Sequence, residues 1–496
     1  MADIHDYTDC DATELAARIA RGEVSPSEVL ETAIAAVERV NPQLNAVVHR
    51  MYDEARAMLR EPLPDGPFRG VPMVVKDFDG FIKGVPFTGS CRFLEGYLPD
   101  HDSELFARLR RAGFLFIAKT NCPELALMGT TEPKWRGPTR NPYNLARSTG
   151  GSSGGSAALV AARAVPVGHG GDGGGSLRIP ASSCGLVGLK ATRARIPLGP
   201  DYAEVWGGYT QWGVLSRSVR DTATVFDAIA GPTPGDPYAA PLLPKALSAE
   251  VGRDPGRLQI GFHAGTLFGR EVDSQHADAV RRAAAQLEAL GHHLEADAPK
   301  INREQLVRAY LTQVAVSVAS EIEEFSRLSG RRPSHDLFEP ETWLMNQIGQ
   351  ATSALELVRA RDAAQAAGRA TAEFHKRYDL FLCPTTAFPP VGIGELDLGA
   401  AKRTALALLR QAPFPPLLRK VLDVFASSLL ERTPNTQLFN QTGQPAISLP
   451  LAQTTDEMPI GIQLAAPLGR EDLLIRVAAQ LEAAHPWIAR RPRISA

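Results

Sequence analysis

"GGSSGGSAALVAARAVPVGHGGDGGGS", residues 150 to 176, holds ten glycines in 27 positions, in a chain with 43 glycines among 496 residues. Glycine loses the most backbone freedom on folding and packs no core, so such density marks tight turns or close approach of the backbone to a ligand. The stretch divides into two glycine-serine runs, "GGSSGGS" and "GGDGGGS", with a helix-like "SAALVAARA" and a short strand between them. Ser152 and Ser176 are 24 residues apart, enough chain to return to one place.

Two familiar motifs can be laid on these residues and fail on context. "GHGGDG" (168 to 173) satisfies GxGxxG after a strand, but a dinucleotide site also needs an uninterrupted helix and an acidic residue about twenty positions on. Pro180 interrupts here, and no Asp or Glu falls between Asp172 and Asp201. "GSSGG" (151 to 155) satisfies GxSxG, but that nucleophile elbow follows a strand, and "TRNPYNLARSTG" does not read as one. None of the eleven histidines sits in a recognisable constellation with it. A P-loop fails because no GK[ST] follows the glycines.

Outward from the glycine stretch, "VPMVVKDFDG" (71 to 80), "GFLFIAKT" (113 to 120) and "ARAVPVGHG" (162 to 170) read as short apolar strands. "LQIGFH" (258 to 263), "YDLFLCP" (378 to 384) and "PAISLP" (445 to 450) extend the set. Helical patterns such as "DSELFARLRRAG" alternate with them, which predicts an α/β fold, a mixed central β-sheet covered by helices on both faces. Ser25-Pro26-Ser27-Glu28 reads as a capping box opening a helix that Asn41-Pro42 stops. "GPTPGDPYAAPLLPKAL" (231 to 247) reads as a surface connection. The apolar, proline-broken "ALALLRQAPFPPLLRKVLDVFASSLL" (405 to 430) reads either as two helices packed on the core or as a hydrophobic lid over a cleft.

Composition sets limits on function. Hydrophobic residues are 44% and charged residues 22%, ordinary globular usage. With 53 basic and 55 acidic residues the net charge is -2, so nothing points to nucleic acid or an anionic membrane, and a small-molecule substrate fits better. Cys10, Cys91, Cys122, Cys184 and Cys383 are odd in number and contain no CxxC pair, which disfavours a zinc site or disulfide framework and fits reduced thiols in the cytoplasm. The N-terminus lacks the basic and apolar regions of a standard signal, and no segment has about 18 unbroken apolar residues.

A serine that attacks a carbonyl needs a base, and without a histidine candidate the most plausible is lysine relayed through a hydroxyl. Lys76 ends the apolar run "VPMVVKD", where Val74, Val75 and Phe78 would disfavour its charged form. Most lysines after strands are simply solvated, so Lys76 carries this reading only in combination with the serines.

"GVPMVVKD", "AKTNCPELA", "TRNPYN", "GGSSGGSAA", "GGDGGGSLRIPASSCGLVGLKAT", "SRSVRDTA" and "GQPAISLP", in this order over nearly the whole chain, resemble the amidase signature family. The resemblance implies an amide-hydrolysing enzyme with a Ser-(cis)Ser-Lys triad: Ser176 as nucleophile, Ser152, after a cis peptide bond, as relay, and Lys76 as base. It implies no cofactor and no metal. Gly173, Gly174, Gly175 and Ser176 are then positioned to donate N–H groups to the oxyanion. Asp172 and Arg178 would form a buried pair fixing the loop, and Ser153 would either hydrogen-bond near Lys76 or cap the following helix. His169 reads as a packed side chain rather than a base, and the Trp and Tyr of "KWRGPTRNPYN" either line the cleft or pack in the core. One departure stands out: the family commonly has threonine where this chain has Gly171 and Gly173.

On this reading the chain is a single amidase domain, 1 to 496. It comprises N-terminal helices (1 to 60), a signature core with the triad (61 to 230), an inserted helical and lid region (231 to 440) and a C-terminal return to the core (441 to 496). "TTEPKWRGPTRNPYNLARS" and "GREDLLIRVAAQLEAAHPWIARRPR" are most similar to the branch that hydrolyses 6-aminohexanoate cyclic dimer. A glutaminase-type transamidation subunit and a non-enzymatic scaffold are the alternatives, and the sequence leaves monomer and homodimer open.

Overall fold

The computed structural model describes residue 4, residues 6 to 397, residues 418, 420 and 421, and residues 430 to 496. The capping box forms as read: Ser25 Oγ accepts the Glu28 N–H at 3.2 Å and Glu28 Oε2 accepts the Ser25 N–H at 2.8 Å, opening the helix Pro26–Leu44. Asn41-Pro42 does not stop that helix, which runs one turn further to Asn45 in the left-handed region (φ 51°). Asn41 Oδ1 accepts the N–H groups of Ala46 and Val47 at 2.9 Å each, so the side chain expected to break the helix organises its exit.

The described residues contain thirteen strands. They are β1 (Val47–Arg50), β2 (Pro72–Lys76), β3 (Leu115–Thr120), β4 (Arg140–Asn141), β5 (Asn144–Ser148), β6 (Val167–Asp172) and β7 (Val187–Lys190). Then come β8 (Gln211–Ser216), β9 (Gln259–Phe262), β10 (His293–Ala296), β11 (Leu380–Pro384), β12 (Ala446–Gln453) and β13 (Pro459–Ala465). Eleven form one mixed sheet in the order β1-β3-β2-β6-β8-β7-β12-β13-β11-β9-β10, and β4 pairs with β5 alone. β2 runs parallel to β3 and β6, whereas β6 meets β8 antiparallel, as β12 meets both β7 and β13. All six strand segments read from sequence are present, and β1 adds a strand within the stretch expected to be helical.

Two apolar clusters hold these elements. One joins the sheet to the helices Pro26–Leu44, Glu104–Arg111, Gly154–Ala161, Val219–Ile229, Ser274–Ala289 and Glu471–Ala484. The other gathers the helices Arg303–Ser329, Pro340–Ala351 and Ala354–Phe374 over Phe78, Phe87, Trp206 and Tyr209. Of the segment 405 to 430, nearly all lies outside the described residues. Leu418, at 2% exposure, belongs to the second cluster. Residues 231 to 247 contain no helix or strand, as expected of a connection.

Candidate active site

β2 is buried along all five residues, as a strand covered on both faces must be, and its continuous apolar run follows from that. Lys76 sits at its carboxyl end beside the parallel strand β6, the position where open α/β sheets form their crevices. The lysine is 1% exposed. Its Nζ donates to Ser152 Oγ at 2.9 Å and to Asp79 Oδ2 at 2.5 Å.

Ser152 follows the cis peptide bond Gly151–Ser152, and its side chain is fully buried. The two glycine runs meet at this point: the Ser153 N–H donates to the Ser176 carbonyl at 3.3 Å. Ser176 is the partly exposed member, whereas Lys76 and Ser152 are sealed below it. Of the two roles read for Ser153, its hydroxyl takes the local hydrogen bond and leaves the cap. The residue stands at the N-cap of Gly154–Ala161 without a capping bond, and Oγ donates instead to the Gly171 carbonyl at 3.3 Å.

Asp172 ends β6 and Arg178 starts the short helix Arg178–Cys184, both without exposed surface. Arg178 Nε and Nη2 each reach a different Asp172 oxygen at 2.8 Å, a bidentate pair. Burial pushes the Asp172 carboxyl up, but Arg178 and the Asn440 amide outweigh it and hold the group down, at about 2. Asn440 Nδ2 donates to the Asp172 carboxylate at 2.8 Å, and Arg178 also reaches the Thr436 carbonyl and Gln463.

The same carboxylate corrects one expected donor. Asp172 Oδ1 accepts the Gly175 N–H at 2.7 Å, so that amide is engaged before any oxyanion forms. Gly173, Gly174 and Ser176 make no such N–H bond among the described residues and remain the candidate donors. Gly175 serves by shape: its φ of +127° is closed to ordinary side chains, and a Cβ would stand 2.4 Å from Thr436 Oγ1.

The two glycines that depart from the family pattern are each filled from another element. A Cβ on Gly171 would lie 2.5 Å from the Asp79 carboxylate, and one on Gly173 would lie 2.8 Å from the Trp206 ring. Asp79 and Trp206 are themselves left-handed, with φ of 67° and 53°. Gly174 is closed by Tyr310, whose hydroxyl is 2.1 Å from a Cβ there and whose ring stacks on Tyr209.

Sequence reading missed Asp79, Trp206, Tyr310, Thr436, Asn440 and Gln463. Asp79 had a signal, lying three residues after Lys76 within the run already singled out. The others arrive from far along the chain. Near the site, burial raises Glu321 to about 8 against the opposing pull of Trp206 Nε1, which donates to it at 3.1 Å.

His169 is buried with its ring edge-on to Phe106 at 4.9 Å, and burial beside Lys76 and Lys119 holds it well below the usual histidine range. It is neutral packing, as read. Tyr143 is buried, with its hydroxyl beside Gly185, while Trp135 lies under the Arg136 guanidinium. The GxSxG reading failed for another reason than the one expected. β5 is a strand and does precede a helix, but Ser153 is wholly buried and cannot be an exposed nucleophile. Among the described residues no three His, Cys, Asp or Glu side chains gather to hold a metal, and no helix is long and apolar enough to cross a membrane.

A buried lysine bonded to a buried serine, an adjoining partly exposed serine and a glycine-rich loop thus meet in one place. Residues 28 to 475 match the amidase family model, and the chain belongs to the amidase signature family. It is 41% identical to the 6-aminohexanoate-cyclic-dimer hydrolase of Paenarthrobacter ureafaciens, over 98% of this chain and 96% of that protein. A solved 6-aminohexanoate cyclic dimer hydrolase in complex with substrate superposes with a TM-score of 0.91 at 40% identity, covering 98% of this chain and 99% of that one. A bacterial aryl acylamidase of the same family superposes at 0.84 with 26% identity, covering 96% of each chain. The protein is therefore an enzyme that hydrolyses the C–N bond of amides, which sets the scaffold reading aside.

Proposed function

We propose that this enzyme hydrolyses small aliphatic amides of the 6-aminohexanoate cyclic dimer class, with Ser176 as nucleophile, Ser152 as relay and Lys76 as base. The observation that carries the roles is the 2.9 Å bond from Lys76 to Ser152, directly beneath a loop that presents Ser176 to solvent. Ser176 loses its proton to Ser152 as its Oγ bonds to the acyl carbon, and Ser152 passes its own proton to neutral Lys76. The amides of Gly173, Gly174 and Ser176 receive the oxyanion. Collapse expels the amine, which takes the proton back along the same route, and water then releases the acyl group. The substrate class rests on the near full-length likeness to cyclic dimer hydrolases.

Ser176→Ala is expected to abolish hydrolysis and labelling by a fluorophosphonate while leaving the melting temperature unchanged. Residual activity above about a tenth of the parent refutes the nucleophile. A panel of cyclic dimer, linear aliphatic amide, anilide and glutamine tests the substrate, and preference for glutamine overturns it. The cytoplasm is the compartment this reading favours, since all five cysteines are unpaired thiols.

A further inference from the structure

We propose that Asp79 is a positioning residue for the base, fixing the Lys76 amine toward Ser152 and compensating the ammonium that forms there. This rests on Lys76 being the base. Three independent observations place the carboxylate. Its Oδ2 is 2.5 Å from Lys76 Nζ, and among the described residues this is its one hydrogen bond. It occupies the space where Gly171 has no side chain, since a Cβ there would come within 2.5 Å. Its own backbone lies in the left-handed region at φ 67°, which side chains seldom adopt though Asp tolerates it better than most.

A neutral amine has two N–H bonds and one lone pair. In the resting contact Nζ donates to Ser152 Oγ at 2.9 Å; once the amine is neutral and one N–H is held by Asp79, its lone pair turns to that same oxygen and accepts from it. When Ser152 transfers its proton, the new ammonium stands against a carboxylate already in contact, so no solvent must reorganise. Asp in a serine hydrolase triad acts on histidine in this way, orienting it and stabilising its charged form without taking the proton.

The neighbouring charges do not substitute for it. Asp77 is occupied by Thr88 and by Lys119, whose Nζ is 3.6 Å away. Lys119, on β3, is held below the usual lysine range by burial, and Cys122, on the loop after it, is pushed up to about 12. His169 on β6 is neutral, and Tyr202 is raised well above its ordinary value by burial. Glu321, from Arg303–Ser329, is raised to about 8 by burial.

Asp79→Asn separates positioning from packing. A carboxylate in contact with an amine favours the amine's charged form. Its removal is expected to move the ascending limb of the kcat/KM profile to lower pH by about 1 to 3 units. The plateau kcat is expected to fall about 10- to 100-fold with KM nearly unchanged, because the developing ammonium loses its partner. A merely structural residue would lower both melting temperature and active fraction without moving the limb. Gly171→Ala supplies a second test that leaves Asp79 in place: its methyl should displace the carboxylate and shift the limb in the same direction. An unmoved limb in either folded variant, or an undiminished plateau in Asp79→Asn, overturns the inference. If instead Lys76→Met keeps the ascending limb, it is the base assignment that fails.

Discussion

Asp172→Asn removes one charge from the Asp172–Arg178 pair and tests whether that pair, rather than the helix behind it, holds the nucleophile loop. Two magnitudes bear on it. Asp172 titrates near 2 in the fold against an ordinary value of 3.8. That difference of nearly two units corresponds to about 2 to 3 kcal/mol of linked stability. A depressed carboxylate contributes above its unfolded value and stops contributing as pH falls through its folded one, so this share disappears between about pH 4 and pH 2. The substitution itself costs more, about 3 to 5 kcal/mol, because it leaves Arg178 buried and charged without a counter-ion and weakens the Gly175 contact. An unfolding entropy of roughly 2.1 cal/mol/K per residue gives a chain of this length about 1 kcal/mol/K, hence a fall in Tm of about 3 to 5 °C. The assay pairs calorimetry at fixed scan rate with the rate of fluorophosphonate labelling, which reads the Ser176 loop directly. Labelling is expected to slow by at least tenfold. A variant that loses less than about 1 °C and labels at the parental rate refutes the account.

Gly174→Ala drives a methyl into the Tyr310 hydroxyl and is expected to lower kcat about 10- to 100-fold; Tyr310→Phe should recover part of that loss, and no recovery would show that Tyr310 is not the obstacle. Leu418→Ala should destabilise by about 2 to 5 kcal/mol and lower Tm by a few degrees for every substrate alike, whereas an altered ratio of kcat/KM for large over small amides would mark the flanking stretch as a lid. A relay built from two hydroxyls and an amine predicts that EDTA leaves the rate unchanged, and inactivation reversed by zinc would refute it.

The strands were legible wherever apolar residues ran unbroken, because a strand covered on both faces writes its burial directly into the sequence, as "PMVVK" does. β7 and β8, "VGLK" and "QWGVLS", hid behind internal glycines. There a Cβ on Gly188 or Gly213 would come within 2.8 or 3.0 Å of Leu177, a requirement of tertiary packing that no local pattern expresses. Lys76, Ser152, Asp172 and Arg178 could be picked out because each lies in or beside a motif. Trp206 and Tyr310 could not, because what they recognise is an absent side chain on a distant glycine. The expected Gly175 donor failed for a subtler reason. A row of bare amides looks uniform in sequence, and only the Asp172 rotamer distinguishes the one that is occupied.

The Arg178 clamp joins parts of the chain that are made far apart in time. Its partners Thr436, Asn440 and Gln463 lie 258, 262 and 285 residues downstream. At about 5 to 20 residues per second, roughly 15 to 60 seconds separate translation of Arg178 from translation of the residues that brace it. Throughout that interval the nascent chain carries Lys76, Ser152 and Ser176 without the residues that brace the Arg178 clamp. The clamp is thereby completed only when nearly the whole polypeptide has been made, and a message truncated before Gln463 yields a chain that lacks one of its partners.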